Sequence, residues 1–204
     1  MSRLLLVRHG DTESNSRERY WGRTDVKLSA AGLCQAEKLR DRLATQKIDA
    51  VYASDLQRAS TAAEIIASRH QLDVITCAEI RETNFGRVEG LTADEVNHLY
   101  PDLAKSWAKW SLQLEFPDGE NVGEVIKRVG SFVDRLKKHT VEETILIVAH
   151  SAPLRLIICQ LLGIGMKHWR QFYLDLASLS IVETYPEIAI IRRLNDISHL
   201  GEKV

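Results

Sequence analysis

An excess of either charge is missing from this chain. Lys and Arg number 27 and Asp and Glu 28, a formal net charge of -1 over 204 residues. No overall field gathers nucleic acid or an anionic membrane, so any anion site has to be local. Cysteine is scarce: Cys34, Cys77 and Cys159 are odd in number, far apart and outside any C-x-x-C pair. That argues against a disulfide framework or a paired-thiolate zinc or redox site, and makes a reducing, cytoplasmic setting the natural expectation. Long apolar runs are lacking too. Residues 4–7 (LLLV) are too short for a signal peptide before Arg8 intervenes, and no stretch reaches the ~18 apolar residues of a membrane span. A soluble protein with neither a nucleic-acid nor a membrane partner is expected. Absent as well are G-x-x-x-x-G-K-[ST], G-x-G-x-x-G and H-E-x-x-H, which removes phosphate-loop nucleotide binding and zincin chemistry. Residues 34–40 (CQAEKLR) do carry the C-x5-R spacing of cysteine phosphatases. They lie inside a helical pattern, without the glycines that would turn backbone amides toward a phosphate.

What is there is an alternation. Apolar runs of strand length are separated by stretches of helical period, with no repeat, low-complexity tract or linker, so a single α/β domain over residues 1–204 is expected. Strands are predicted at residues 4–7, 50–53, 73–77 and 144–149, the last (TILIVA) apolar enough to be a central parallel strand buried on both faces. Two late runs, 180–185 and 188–194, flank Pro186 as a hairpin or edge pair. Helices are predicted at about 30–44, capped by Ser29 with Leu33, Ala36, Leu39 and Leu43 on one face, and at 56–69, 92–99, 103–112, 122–138 and 153–162. Residues 84–121 show no clear strand and read as an insertion that covers a site.

Two apolar strands end in the same manner: LLLV runs into Arg8-His9-Gly10, and ILIVA into His150-Ser151. In an open parallel sheet the ligand crevice lies at the carboxyl ends of the strands, so these residues converge although about 140 positions separate them. The strand at 50–53 leads to Arg58, and the one at 73–77 to Glu82. A lone histidine at a strand end is usually a hydrogen-bonded structural residue, and a lone arginine there usually pairs with a carboxylate. Four strand ends delivering two histidines, two arginines and a glutamate to one rim is a coincidence that structural filling does not explain. A metal held by the two histidines is disfavoured, because metallophosphatases generally spend several Asp and His ligands per ion and arginines take those places here.

These residues resemble the histidine phosphatase, or phosphoglycerate mutase-like, superfamily. The resemblance rests on an ordered set: VRHGDTESN (7–15), WGRTDVKLSAAGLCQA (21–36), SDLQRASTAA (54–63), RETNFGRVEGL (81–91), PDGEN (117–121) and IVAHSAPLR (147–155). It implies a three-layer α/β/α sandwich with a mainly parallel central sheet and a helical insertion over the site. It implies further that His9 is the nucleophile and forms a phosphohistidine. Arg8, Arg58 and a protonated His150 would hold the transferring group, with Asn15 assisting. Gly22 and Ser151 would complete the substrate-binding set, and Glu82 would donate a proton to the leaving oxygen. No metal or other cofactor is implied. Gly10 would let the backbone approach the phosphate. Two positions depart from the common pattern: Ser151 stands where glycine is frequent, and Asp11 where glutamate is. Neither is assigned to the chemistry.

The expected partner is a small phosphate ester; a homodimer is compatible with the sequence, which says nothing of assembly. Residues 91–121 contain only Lys105 and Lys109 as cations, together with Trp107, Trp110 and Phe116. That favours a monophosphate ester with an apolar or aromatic leaving group, although the aromatics equally suit packing of the insertion. The N-F-G-x-x-E-G and P-D-G-E-N elements look like those of α-ribazole-5'-phosphate phosphatases of cobalamin synthesis. Broad-specificity phosphoglycerate- or phosphoserine-type phosphatases are the alternative, with a mutase behind them. Some members of the superfamily are non-catalytic binding modules; here every catalytic position is filled.

Overall fold

In the computed structural model, residues 2–13, 19–109, 111–139 and 142–201 are described. The apolar runs form a six-stranded sheet: β1 (Ser2–Arg8), β2 (Ala50–Ala53), β3 (Val74–Thr76), β4 (Thr144–Ala149), β5 (Leu179–Thr184) and β6 (Ala189–Asp196), in the order β3-β2-β4-β1-β5-β6. The pairs β1·β4, β2·β4 and β2·β3 are parallel. The late hairpin adds β5 antiparallel to β1, and β6 antiparallel to β5.

Because strand side chains alternate between faces, each central strand feeds two cores. Leu5 and Val7 of β1 and Leu146 and Val148 of β4 face α1 (Ala30–Leu43) and α2 (Gln57–Ala67). Leu4, Leu6, Ile145 and Ile147 face α5 (Val122–Leu136) and α6 (Ser151–Leu161). Each fully buried aliphatic side chain contributes roughly 1.5–3 kcal/mol, and this double burial makes the β1·β4 pair the fixed centre of the molecule. Helices on both faces of a mostly parallel sheet give the expected three layers. Among the described residues no helix is long and apolar enough to cross a membrane.

Several local expectations are corrected. Ser29 does cap α1, its hydroxyl accepting from the Gly32 N–H at 3.1 Å. Leu33, however, is 40% exposed, and Gly32 takes the buried place. A Cβ at Gly32 would lie 2.0 Å from the Asp11 carbonyl oxygen, and one at Gly10 would lie 2.8 Å from the Gly32 carbonyl oxygen. Gly10 therefore seats the end of β1 against α1, which is a sufficient reason for glycine there. α6 begins at Ser151, two residues earlier than expected, because Pro153 within the first turn forgoes an N–H that has no helical acceptor. α4 (Pro101–Ala108) likewise starts on its proline rather than after it.

Residues 84–121 contain α3 (Ala93–Leu99) and α4, with no strand of the sheet. They close on a small core of their own around Val88, Val96, Leu114 and Phe116, which also takes Val122 at the start of α5. Trp110 lies outside the described residues.

Candidate active site

A cavity of about 1020 Å³ opens over the carboxyl ends of β1 and β4. Arg8, His9, Arg58, Glu82 and Ser151 line it, so residues from four sequence segments meet where the sheet topology places them.

His9 directly follows β1, its N–H bound to the Ala149 carbonyl at 3.1 Å and its carbonyl accepting from Ala177 at 3.0 Å. Its Nδ1 lies 2.8 Å from the Gly10 carbonyl. A carbonyl only accepts, so Nδ1 carries the proton and Nε2 keeps the lone pair. Burial, reinforced by the guanidinium groups of Arg58 and Arg8, holds His9 well below the ordinary histidine range, so its ring is neutral.

His150 caps α6 and is fully buried, its ring edge-on to His9 with centroids 5.0 Å apart. Neither of its ring nitrogens has a hydrogen-bond partner among the described residues. Burial, then Arg58, His9 and Arg8, depress its protonation strongly. These surroundings favour the neutral ring of His150, so the protonated form that the resemblance implies requires an anion beside it.

Arg58 is 2% exposed in the first turn of α2. It is fixed from behind by two donated bonds, to the Gly22 carbonyl at 2.7 Å and the Thr24 carbonyl at 2.9 Å. Gly22 itself stands behind Arg58, and a Cβ there would lie 2.1 Å from the Thr83 carbonyl oxygen. The loop carrying these carbonyls is clamped in turn by the Glu89 carboxylate, which accepts from Arg23 N–H at 2.6 Å and Thr24 N–H at 2.7 Å. Arg8 donates to the Leu174 carbonyl at 2.6 Å, leaving its Nε buried without a partner.

Glu82 does not follow β3 directly; a single 3-10 turn, Ala78–Ile80, intervenes. Glu82 is 8% exposed, and its carboxylate accepts from Thr83 N–H at 2.9 Å and Ala152 N–H at 3.4 Å, which lays it against the start of α6. Ser151, the first residue of α6, faces the cavity. Asn15 lies outside the described residues.

Sequence reasoning missed part of the wall. Arg19, Arg155, Arg170 and Tyr173 also line the cavity, whereas Lys105 and Lys109 do not. The cations thus come from outside residues 91–121, and the scarcity of cations there says nothing about the leaving group. Arg155 had a signal: it lies four residues after Ser151, on the same helical face. Arg170, in a 3-10 segment, had none. Arg19 donates to the Gly90 carbonyl at 2.6 Å and pairs with Glu95 at 3.0 Å, and Arg170 donates to the Trp107 carbonyl at 2.7 Å. Arg155 has no hydrogen-bond or ion-pair partner among the described residues, and its Nε is sealed from solvent. A packed aromatic cluster lines the same cavity: Trp107 lies 4.5 Å from Tyr20, 5.7 Å from Phe85 and 4.9 Å from Phe116, ring centre to ring centre. They do both things the sequence left open, packing the insertion and facing the cavity.

No group of three or more His, Cys, Asp or Glu side chains suited to a metal ion occurs among the described residues. What remains is a neutral imidazole in the field of two fixed guanidinium groups, with a buried carboxyl group lining the same cavity. That arrangement suits transfer of an anionic group to nitrogen.

Comparison with known proteins agrees. Residues 4–197 match the family described as "Histidine phosphatase superfamily (branch 1)". Phosphoserine phosphatase 1 of Hydrogenobacter thermophilus is 34% identical over 202 residues, covering 99% of this chain and 96% of that protein. The adenosylcobalamin/alpha-ribazole phosphatase of Escherichia coli is 31% identical over 196 residues, 95% of each chain. The crystal structure of the alpha-ribazole phosphatase from Shigella flexneri superposes with a TM-score of 0.88 at 30% identity, over 95% of this chain and 96% of that one. With the ordered motifs, the strand-end site and these similarities in agreement, the chain belongs to the histidine phosphatase superfamily and is a phosphatase.

Proposed function

We propose that this protein hydrolyses small phosphate monoesters in two displacements through a phosphohistidine on His9. The observation that carries the reading is the His9 ring: Nδ1 is engaged by Gly10, and burial with the Arg58 and Arg8 charges that share its cavity keeps the ring neutral and Nε2 nucleophilic. In the first step the Nε2 lone pair attacks phosphorus and the ester P–O bond breaks. The leaving oxygen takes its proton from Glu82. In the second, water attacks phosphorus and the bond from phosphorus to Nε2 breaks, Glu82 accepts a proton from that water, and inorganic phosphate and neutral His9 are released. Arg8 and Arg58 hold non-bridging oxygens. Phosphoryl transfer asks mainly for positioning and charge stabilisation, which two pre-anchored guanidinium forks supply. His150 adds a third donor, and an incoming dianion reverses the local field that keeps it neutral.

On the leaving group, the aromatic wall supports the α-ribazole 5'-phosphate reading, since a flat heteroaromatic base stacks well on Trp107 and Tyr20. A second reading is favoured by Arg155: a partly buried guanidinium with no hydrogen-bond or ion-pair partner among the described residues suits a leaving group that carries a carboxylate, as phosphoserine does. The decisive test of the chemistry uses a phosphomonoester labelled with ³²P, quenched in alkali, where phosphohistidine survives. The wild-type protein should retain label on His9. His9→Ala should retain none and lose on the order of 10⁵-fold in kcat, as nucleophile removal does elsewhere. Full activity in His9→Ala would end the proposal.

A further inference from the structure

We propose that Arg128, outside the cavity on α5, is the positioning residue that holds Glu82 in place for proton donation, with Glu120 as its anchor. The inference rests on the phosphohydrolase reading of the site and adds to it a residue that touches no substrate.

A guanidinium offers five N–H groups in a rigid plane, and Arg128 makes five contacts with them. Nε and Nη2 form a fork onto the Glu120 carboxylate at 2.8 and 3.0 Å. Nη1 donates to the Glu79 carbonyl at 2.8 Å and the Arg81 carbonyl at 2.6 Å, and Nη2 to the Glu82 carbonyl at 3.1 Å. Three backbone carbonyls within four residues, ending on Glu82 itself, thus converge on one side chain. That segment needs such a support. It follows β3, a strand of three residues at the sheet edge, through a single 3-10 turn, so no regular ladder fixes its path.

Glu120 ties this clamp to the other half of the site. Its second oxygen also accepts from Asn84 N–H at 2.8 Å, and its first from Arg23 Nη2 at 3.0 Å. Arg23 lies between Gly22 and Thr24, whose carbonyls hold Arg58. One carboxylate therefore links the backbone that carries the acid with the loop that holds a phosphoryl-binding arginine. Burial alone would raise Glu120 toward protonation, but Arg128, the Asn84 N–H and Arg23 outweigh it, and the carboxylate stays charged. Both side chains are only 15% exposed, so the pair is screened little by solvent. A lysine cannot reproduce the pattern, because an ammonium presents three donors without a planar fork.

The experiment compares two leaving groups. Departure of p-nitrophenolate, with a pKa near 7, needs little protonation; an alkoxide, as from glycerol 3-phosphate, needs it fully. The quantity to read is kcat/KM, which for a two-displacement enzyme reports formation of the phosphoenzyme alone. Arg128→Met should lower kcat/KM on glycerol 3-phosphate by about 100-fold and on p-nitrophenyl phosphate by less than about 5-fold, the lower end of what general acid catalysis supplies. Glu82→Gln should shift the ratio of the two the same way and further, and Arg128→Lys should fail to restore it. Equal losses on both substrates would overturn the proposal, as would no loss on either. If Arg128→Met does not fold, Glu120→Gln takes its place; an unaltered ratio in that variant would equally overturn it. Failure of the underlying reading shows separately, as wild-type protein that forms no phosphohistidine.

Discussion

The floor and the wall of the cavity are built differently. On the floor, His9, Arg58, Glu82 and His150 are buried, and the first three are held by backbone amides or carbonyls. On the wall, Tyr20, Phe85, Trp107, Arg155 and Arg170 are half-buried and come from separate segments. Side-chain stacking holds the aromatics, and Arg155 has no hydrogen-bond or ion-pair partner among the described residues. Backbone contacts at strand ends fix geometry regardless of which substrate arrives. Side chains on a wall can be exchanged without disturbing them. In the proposed function the floor carries the reaction and the wall the choice of ester.

The comparison predicts a graded series of losses. The largest follows on the floor. Arg58→Met should cost about 10²- to 10³-fold in kcat on any phosphate ester, as removal of an oxyanion donor does. It should also move the acid limb of kcat/KM. In the wild-type protein burial, Arg58 and Arg8 keep His9 neutral below pH 6.5, so that limb lies on the acid side of the ordinary histidine range. Without the Arg58 charge the limb should shift upward, measurable in a pH profile; an unmoved limb would mean that Arg58 does not govern His9. On the wall the effects should be selective. Arg155→Met should reduce the ratio of kcat/KM for phosphoserine over phosphoethanolamine, which lacks only the carboxylate, by about ten- to a hundredfold, the range for a hydrogen bond to a charged group. An unchanged ratio would remove the carboxylate reading and leave the aromatic one. The smallest change is expected for Trp107→Ala. KM for aryl phosphates should rise about two- to tenfold, the worth of an aromatic contact, with glycerol 3-phosphate less affected. Loss of kcat on both would instead place Trp107 with the floor.

The floor was largely legible in the sequence, and for a physical reason. A buried parallel strand must be apolar throughout, so the residue at which apolarity stops marks where the strand leaves the core, and His9 and His150 both stand there. Glu82 was legible only as a carboxylate near the third strand; the 3-10 turn that carries it, and the side chain that holds that turn, were not. Arg128 reads as one more charged residue on an amphipathic helix, because its five acceptors are backbone carbonyls and a carboxylate brought to it by folding. The wall was least legible. Leu33 was assigned to the core on period alone and proved exposed, since Gly32 had to meet the Asp11 carbonyl. The cations of the wall lie not in the insertion but at Arg155 of α6, at Arg170 of a 3-10 segment and at Arg19.

By itself, the sequence determined the alternation of strands and helices, the apolar centre, and the residues that leave it at the crevice. Those follow from local periodicity and from where a chain stops being apolar. Only the tertiary structure decided that His150 is buried beside charges that disfavour its protonation, that Arg155 faces the cavity without an ion-pair partner among the described residues, and that Arg128 gathers the carbonyls leading to Glu82. Each of these depends on burial and on charges far apart in the chain, and neither has a local pattern.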